Sequence, residues 1–475
     1  PENMPLAYIG QLPGFAQRTY DRVEQTPFFP PYESTKHRAL VTQSAIREDL
    51  HQFSNVTKRP NDPCLDLAIA KAYHAFHLQD RVQMIHLNDI FSEDLDIWSK
   101  SPGLPWRNLG YKTKGDIKRD PEAIRKVRHF VHRVKAGEEI KPPDCLAYVR
   151  SHVCELTENK IRAVWGYPAT ITFAEAIFAL PLIRAYQKKQ DPIAYGFETA
   201  IGGMRKVYNR FCMYKHYSAL DFSSFDKTVP SWLIKTAFTI LKSNIDFVNY
   251  RDHGVADSRR MIHLLTYLED YFINTTIRTA NGCRYRKSSG IASGSYFTQL
   301  VGSVCNYILC TWATHKLLGR DPQDILVFGD DSIIATWQPQ SLNDIEDLFA
   351  TIGMHINKKK SQVTTELQTL KFLGYRIGNG VPSKDFDEWM TALLFPESPD
   401  YSIDQLQSRA LGLYYANMGV DRQFAYITAE LVRLKPFDII LSRNFERRLK
   451  YVGISLDVLK TRELPSANEF AKLMI

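Results

Sequence analysis

The chain has 475 residues, of which 44% are hydrophobic and 12% aromatic, and it carries a formal net charge of +8. This composition, without repeats or low-complexity tracts, excludes a disordered or fibrous protein, and the length allows two or three packed subdomains or one closely coupled assembly. Seven dispersed cysteines without a C-x-x-C pair exclude a disulfide scaffold and favour a reducing compartment without structural zinc.

Membrane and export signals are not evident in the sequence. The apolar runs stay short of the roughly 20 residues that cross a bilayer, and the first residues show no signal-peptide pattern. We therefore expect a soluble, intracellular protein.

Basic residues concentrate in two regions. Residues 107–150 contain twelve Lys or Arg against six Asp or Glu, so this segment is a candidate to meet a polyanion. The second cluster, near the C-terminus, comprises Arg433, Lys435, Arg443, Arg447, Arg448 and Lys450. For either cluster, a solvated helix face is an equally good interpretation.

A short strand is predicted at residues 217–222, and it delivers Asp221 near its C-terminal end. Pro230 suits the first turn of a following amphipathic helix. Asp221 and Asp226 therefore bracket a strand-to-helix connection.

Small residues fill the next segment, 289–295, which reads S-S-G-I-A-S-G-S with its preceding serine. Such a loop lets one backbone approach another closely, and it leads into a predicted amphipathic helix at 297–312. Thr298 and Asn306 are expected to flank the apolar stripe of this helix. Ordinary hydroxyl caps explain one serine of the loop but not the whole run.

Apolar residues at 325–328 and 332–335 predict a hairpin whose tip carries Gly329-Asp330-Asp331. Two acids at an apolar tip repel each other unless cations neutralise them. Two divalent ions, about 3.5–4 Å apart, perform this task in phosphoryl transfer, and Mg²⁺ prefers carboxylate ligands. We expect Asp221 and Asp330 to bridge two Mg²⁺ ions, with Asp331 auxiliary and Mn²⁺ as a substitute. A lone triplet occurs by chance in roughly one such chain in ten, so its setting carries the argument.

These segments resemble polymerase motifs A, B and C of viral RNA-dependent RNA polymerases. The residues that carry the resemblance are Asp221 and Asp226 for motif A, Ser289, Gly290, Thr298 and Asn306 for motif B, and Gly329-Asp330-Asp331 for motif C. The sequences D-F-S-S-F-D at 221–226 and G-S-Y-F-T at 294–298 are most similar to those of polymerases from partitiviruses, which have segmented double-stranded RNA genomes.

Four further segments extend the resemblance over roughly residues 100–376. Lys160-Ile161-Arg162 resembles the basic motif F, and S-P-G-L-P-W at 101–106 resembles the template-guiding motif G. Motif D corresponds to residues 353–361, with Lys360 chosen among three adjacent lysines, and motif E to residues 372–375. A solvated lysine row remains an equally good interpretation of residues 358–360.

The resemblance implies that an RNA 3′-hydroxyl attacks the α-phosphate of a nucleoside triphosphate. The expected catalytic and metal-binding residues are Asp221, Asp330 and Asp331, with Lys360 as general acid. The expected nucleotide-binding residues are Lys160, Arg162, Asp226, Ser289, Gly290, Thr298 and Asn306, some of which would read the ribose 2′-hydroxyl. The expected template contacts are Ser101, Gly103 and Pro105.

Two alternatives remain open. Reverse transcriptases carry an aromatic steric gate five residues after the first motif A aspartate, and here that position is Asp226, which favours RNA synthesis. A catalytically silent RNA-binding structural protein on a polymerase scaffold belongs to a different class. The intact acids at 221, 330 and 331 argue against it.

The resemblance further implies an α+β right-hand fold with fingers, a palm made of an antiparallel sheet flanked by helices, and a mostly helical thumb. The predicted divisions are an N-terminal extension bridging fingers and thumb at 1–95, fingers at 96–205 and 251–290, palm at 206–250 and 291–380, and thumb at 381–475. The expected partners are template and product RNA, nucleoside triphosphates and viral capsid protein, without a membrane. The expected location is the virion interior and the host cytoplasm.

Overall fold

The computed structural model describes residues 6–16, 26–29, 33, 35–197, 202–252, 254–440, 446, 449 and 455–473. Four residues of the predicted C-terminal basic cluster, Arg443, Arg447, Arg448 and Lys450, lie outside the described residues. All seven cysteines lie within them, and each has a free thiol.

Helices and short strands alternate irregularly, as expected of an α+β protein. The strands are β1 (Leu6–Gln11), β2 (Lys36–Arg38), β3 (Val82–Met84), β4 (Cys145–Ser151), β5 (Val153–Glu155), β6 (Ile161–Gly166), β7 (His216–Ala219), β8 (Phe222–Ser223), β9 (Ile245–Tyr250), β10 (Thr276–Arg278), β11 (Cys283–Lys287), β12 (Asp324–Phe328), β13 (Asp331–Thr336), β14 (His355–Ile356), β15 (Gln362–Thr364), β16 (Lys371–Phe372) and β17 (Tyr375–Arg376). The helices are α1 (Gln43–His51), α2 (Pro63–Ala75), α3 (Leu87–Ile90), α4 (Lys114–Lys118), α5 (Pro121–Lys135), α6 (Ala169–Lys189), α7 (Gly203–Phe211), α8 (Phe225–Thr228), α9 (Ser231–Lys242), α10 (Ser258–Ile273), α11 (Thr298–Leu318), α12 (Leu342–Ala350), α13 (Phe386–Leu394), α14 (Ile403–Asn417), α15 (Arg422–Arg433), α16 (Leu456–Lys460) and α17 (Ala467–Leu473).

An antiparallel four-stranded sheet, in the order β12-β13-β7-β15, carries the predicted hairpin. Phe328 pairs with Asp331 at its tip, which confirms the predicted turn at Gly329-Asp330. Ser218 of β7 pairs with Ile334 of β13. Because the strands are antiparallel, continuing this register brings the chain after β7 beside the hairpin tip.

Strand β7 ends at Ala219, earlier than the predicted strand at 217–222. The backbone of Asp221 is bound instead by the 355–361 region, since Asn357 N–H donates to the Asp221 carbonyl at 2.7 Å and Asp221 N–H donates to Ser361 Oγ at 2.9 Å. Side-chain and loop groups thus replace the ladder where Asp221 leaves the strand. The following helix begins at Ser231, with Pro230 as its preceding cap residue rather than in its first turn.

Helix α11 confirms the predicted helix but not its predicted amphipathic character. Its residues from Leu300 to Thr314 are buried on every face, because the helix packs against α2, α9 and β12 together. Polar side chains on it therefore lie inside the protein and must find partners there.

A second sheet has the order β1-β11-β10-β4-β6, with β10 parallel to β4 and β6 at one edge. It joins strands from the two segments predicted as fingers, and β1 of the predicted N-terminal extension pairs with β11. Helices α13–α15 form a separate apolar core. Arg38 lies between these parts and donates to the carbonyls of Ser151 at 2.8 Å and Phe395 at 2.6 Å.

Helix α6 is longer and more apolar than was predicted from the sequence for any segment, since no apolar run was expected to be long enough to cross a membrane. By length and composition it could cross a membrane, but 78% of its most apolar window is buried inside the protein. That is the environment of a core helix, and Glu175 and Pro181 lie within it.

Candidate active site

Four carboxylates converge where the hairpin tip meets the end of β7. Asp221 and Asp330 retain exposed surface, whereas Asp226 and Asp331 are half-buried. Burial, followed by the charges of Asp330 and Asp221, raises the pKa of Asp331 to about 7. Burial and the charge of Asp330 raise the pKa of Asp226 to about 6. Each acid therefore makes ionisation of its neighbours less favourable.

Cationic side chains from two other parts of the chain face these acids. Burial raises the pKa of Asp330, and the Arg162 charge partly offsets that shift. Burial likewise raises the pKa of Asp221, against the charges of Lys360 and then Lys160. Of the three adjacent lysines, it is Lys360 whose charge lowers the pKa of Asp221. Lys358 instead donates to Asn343 Oδ1 at 3.1 Å.

Helix α11 supports the hairpin tip through two buried side chains. Asn306 Nδ2 donates to the carbonyls of Gly329 and Asp331, both at 2.9 Å, and Gly329 N–H donates to Ser303 Oγ at 2.9 Å. Gly329 itself has φ +58°, in the left-handed region that favours glycine. Asn306 is fully buried, so the structure places it behind the turn, and its role in nucleotide binding stays a prediction.

The 289–295 loop contacts the motif A turn through its backbone. Ile291 N–H donates to the Asp226 carbonyl at 2.6 Å, and a Cβ on Gly290 would lie 2.8 Å from that same oxygen. This close approach explains why glycine is required at position 290. Ser289 is 1% exposed, so its hydroxyl lies in the interior, and its contact with a ribose stays a prediction.

The loop contains a second Ser-Gly pair, Ser293-Gly294, which was not among the predicted site residues. Trp165 N–H, on the strand that bears Arg162, donates to Ser293 Oγ at 3.3 Å. A Cβ on Gly294 would lie 1.8 Å from the Trp165 carbonyl oxygen. Thr298 is half-buried, and its Oγ1 donates to the Ala292 carbonyl at 2.6 Å. The repeated Ser-Gly pair was the only sequence signal that could have identified this contact.

The predicted template segment is held by polar side chains that are buried or half-buried. Ser101 Oγ lies 2.7 Å from the Tyr148 hydroxyl, and Lys114 Nζ donates to the Ser101 carbonyl at 2.7 Å. Gly103 has φ +64°, and a Cβ there would lie 2.8 Å from the Tyr167 carbonyl oxygen. Pro105 is exposed.

A cavity of about 250 Å³ opens at the hairpin tip, lined by Gln299, Phe328, Gly329, Asp330, Asp331 and Leu373. Leu373 lies at the turn of the β16–β17 hairpin, the predicted motif E. A larger cavity, about 730 Å³, lies between the C-terminal helices, away from the carboxylates.

The donor chemistry at the hairpin tip fits a divalent cation. Asp221, Asp330 and Asp331 have no ion-pair partner among the described residues, and the pKa of each is raised, so a cation would relieve their repulsion. Within the same residues, no three His, Cys, Asp or Glu side chains are close enough to enclose an ion alone. Mg²⁺ requires only one or two carboxylates when water and phosphate oxygens complete its shell.

A carboxylate-tipped hairpin beside a second strand-end aspartate, on an antiparallel sheet and faced by an arginine from another sheet, defines the right-hand class of nucleic-acid polymerases. The chain belongs to the viral RNA-dependent RNA polymerase family, whose model matches residues 19–426. The fold class predicted from the sequence is therefore confirmed.

Relatives support this assignment. The RNA-directed RNA polymerase of Atkinsonella hypoxylon virus (isolate 2H) is 26% identical over 321 residues, or 58% of this chain and 48% of the relative. That of Cryptosporidium parvum virus 1 (strain KSU-1) is 28% identical over 67% of this chain and 62% of the relative. That of White clover cryptic virus 1 (isolate Boccardo/2004) is 27% identical over 54% and 46%. The chain thus spans about half the length of the viral relatives it matches.

A solved structure gives the same fold. The Sicinivirus 3Dpol RNA-dependent RNA polymerase superposes with a TM-score of 0.67, covering 94% of this chain and 99% of the other at 16% sequence identity. The family and the partitivirus-like and cryptic-virus relatives agree with the resemblance stated from the motifs.

Proposed function

We propose that this chain synthesises RNA on an RNA template by metal-assisted nucleotidyl transfer. The observation that carries the proposal is the convergence of Asp221, Asp330 and Asp331 without an ion-pair partner among the described residues. Unpaired, mutually repelling acids at an accessible surface are costly to a fold, and they are useful where a cationic group binds during the reaction.

Asp221, Asp330 and Asp331 would hold two Mg²⁺ ions, with Mn²⁺ as a substitute. When bound, the ions would activate the attacking 3′-hydroxyl and neutralise charge on the leaving pyrophosphate. The chain supplies position: Asn306 and Ser303 fix the hairpin tip, while Asn357 and Ser361 fix the Asp221 backbone. Most of the rate enhancement would come from this positioning and from charge stabilisation.

Cationic residues would bind the triphosphate. Arg162 faces Asp226 and Asp330. From this position it would contact an incoming nucleotide between the phosphates and the ribose. Lys160 would add positive charge. Lys360, which faces Asp221, would donate a proton to pyrophosphate.

Asp226 would select the sugar. It occupies the position where reverse transcriptases carry an aromatic gate, and its half-buried carboxyl can accept a hydrogen bond from a 2′-hydroxyl. Thr298 and Gly290 would support the same subsite through the loop that contacts the Asp226 carbonyl. Ser101, Gly103 and Pro105 would guide the template.

In biological terms, the proposed role is replication and transcription of a viral RNA genome, by analogy with the double-stranded RNA of partitiviruses. The proposed partners are template and product RNA, nucleoside triphosphates and capsid protein, in the virion interior and the host cytoplasm. The proposed divisions remain fingers, palm and thumb at the boundaries given above. Arg38 supports a bridging role for the N-terminal extension, because it bonds to a carbonyl on each side.

The test is RNA synthesis by the purified chain with a single-stranded template, labelled nucleotides and Mg²⁺, with and without a primer. We expect template-length product from the unsubstituted chain, and RNA binding without product from Asp330→Ala. Asp324→Asn, at the base of the same hairpin, is the matched control and should retain synthesis. Normal synthesis by Asp330→Ala would refute the metal assignment. If the unsubstituted chain used deoxynucleotides as well as ribonucleotides, the role of Asp226 would be refuted.

A further inference from the structure

Residues 49–57, the end of α1 and the loop after it, lie directly behind the carboxylates. Asp49 is 4% exposed, and its Oδ2 accepts a hydrogen bond from Ala163 N–H at 2.8 Å. Its Oδ1 forms an ion pair with Lys227 Nζ. Ala163 follows Arg162 on β6, and Lys227 follows Asp226 on α8. One carboxylate therefore joins the two backbone segments that carry the proposed phosphate-binding and ribose-binding residues.

The same segment makes further contacts with motifs A and D. Asn55 Nδ2 donates to the carbonyls of Thr228 at 2.6 Å and Ile352 at 2.7 Å. Thr57 Oγ1 donates to the Ile352 carbonyl at 2.9 Å. A Cβ on Gly353 would lie 2.8 Å from the Asn55 amide, so the approach is close. The contact is specific, because backbone carbonyls of both motifs share one buried amide group.

Apolar contacts extend the segment to the loop of motif B. The Phe53 ring packs edge-on against Trp165 with their centroids 5.1 Å apart. A Cβ on Gly290 would lie 2.5 Å from the same ring. Residues 49–57 thus contact strand β6, the turn after Asp221, the 289–295 loop and the 352–353 turn.

The sheets do not themselves fix this geometry. Strand β6 is the edge strand of the five-stranded sheet, and Ala163 N–H bonds to Asp49 rather than to a further strand. Asp226 lies in a different part of the fold, after the two-residue strand β8. No strand ladder joins the two within the described residues, so the spacing of Arg162 and Asp226 depends on the 289–295 loop, which contacts both segments, and on side-chain bridges such as Asp49.

We propose that Asp49 is a positioning residue that sets the spacing between Arg162 and Asp226 and so determines nucleotide affinity and sugar selection. This inference rests on the proposed function. Asp49 would act without touching the substrate, since its two oxygens bind Ala163 N–H and Lys227 Nζ. It acts through the peptide after Arg162 and through the helix that begins beside Asp226.

The test uses Asp49→Asn, which keeps the shape and one oxygen but loses the charge that binds Lys227. We expect KM for the incoming nucleotide to rise about tenfold while kcat changes by less than about threefold, because ground-state positioning is lost. Preference for ribonucleotides over 2′-deoxynucleotides should fall about tenfold. Asp400→Asn is the matched control, since Asp400 is also buried and paired with Arg409 in the C-terminal helices. It should leave both quantities unchanged.

A second measurement separates positioning from general loss of structure. Hydrogen exchange should accelerate in peptides covering 161–166 and 225–229 of Asp49→Asn, and in neither peptide of Asp400→Asn. Lys227→Arg, which keeps the cation, should retain nucleotide KM near that of the unsubstituted chain, whereas Lys227→Gln should behave like Asp49→Asn.

The outcomes distinguish the inference from the proposed function. If the unsubstituted chain makes RNA and Asp330→Ala does not, but Asp49→Asn has unchanged KM, sugar preference and exchange, Asp49 is only structural and the inference is overturned. If the unsubstituted chain makes no RNA with Mg²⁺ or Mn²⁺, the proposed function fails and the inference fails with it.

Discussion

Asp144, which precedes β4, and the acids at the tip of the β12–β13 hairpin are the same chemical group in opposite surroundings. Asp144 is 4% exposed, and its oxygens accept hydrogen bonds from Arg278 and Arg284 at 2.7–3.1 Å. Asp330 and Asp331 face each other and have no such partner among the described residues. Arginines supplied by the fold neutralise the first carboxylate. Under the proposed function, a cation from outside would take that role for the second pair.

The largest effect is expected from substitution of one of the acids that converge at the hairpin tip, where the carboxylates have no ion-pair partner among the described residues. Asp221→Asn should lower RNA synthesis by at least about 10³-fold, roughly 4 kcal/mol on the barrier, because a charged group that would hold a metal is lost. Its thermal stability should stay equal or rise, since removing one of several repelling charges relieves the fold. Single-turnover synthesis and thermal unfolding measure both. A variant that is unstable and active would contradict the comparison.

The reverse outcome, a loss of stability with activity retained, is expected for Asp144, the acid that is paired with arginines. Asp144→Asn should lower the free energy of unfolding by about 3 kcal/mol, because Arg278 and Arg284 lose their shared carboxylate in a largely buried setting. The kcat for nucleotide incorporation, per folded molecule, should remain within about twofold of that of the unsubstituted chain. Urea unfolding followed by activity at matched folded concentration tests this. A large loss of kcat in folded protein would place Asp144 in the reaction.

Mg²⁺ itself should sharpen the comparison. At a hundredfold excess over Kd it should stabilise the unsubstituted chain by about 2.7 kcal/mol and Asp330→Asn by much less. The raised pKa of Asp331, about 7, gives the sign with pH: its stabilising contribution is present below the unfolded pKa and is lost as pH rises through about 7. At one fixed Mg²⁺ concentration, the stabilisation by Mg²⁺ should therefore be larger at pH 8 than at pH 6, because the ionised acids bind the ion more tightly. Thermal unfolding with and without a chelator measures it.

The hairpin and its acids were predictable because their signals are local. Two apolar runs around Gly329-Asp330-Asp331 specify strands, a turn and an exposed tip, and β12 and β13 have those bounds within about a residue. The five-stranded sheet was not predictable in this way. Its strands β4 and β10 are far apart in the chain, and alternation of apolar residues does not say which strand is the neighbour.

Contacts from side chains to backbone groups could not be predicted from the sequence. Asn306 was predicted only as a nucleotide-binding residue, and its hydrogen bonds to the Gly329 and Asp331 carbonyls have no sequence signature. Asp49 lies on an ordinary amphipathic helix, and its partner Ala163 N–H is equally invisible in the sequence. Such contacts depend on tertiary structure, so single-sequence patterns identify the residues of chemistry better than the residues that hold them.

Glu175 offers a third case, a buried acid with neither an arginine nor an accessible surface. It is fully buried in α6, where its oxygens accept hydrogen bonds from Ser295 Oγ and, at 3.3 Å, from Tyr296 N–H. Burial raises its pKa to about 8, so its carboxyl is largely protonated at neutral pH. Since the folded pKa lies above the unfolded value, its stabilising contribution is present below about pH 4.5 and is lost as pH rises through about 8.

The last prediction follows from that sign. Glu175→Gln keeps an acceptor for the start of α11 but cannot ionise, so its stability relative to the unsubstituted chain should rise by up to about 1.4 kcal/mol per pH unit between pH 4.5 and pH 8. Urea unfolding at both pH values measures the difference. Glu269→Gln is the control, because it removes an acid paired with Lys242 and should not stabilise at high pH. Parallel stability curves for Glu175→Gln and the unsubstituted chain would show that Glu175 is ionised in the fold, and its hydrogen bonds to the start of α11 would then have to hold a full charge.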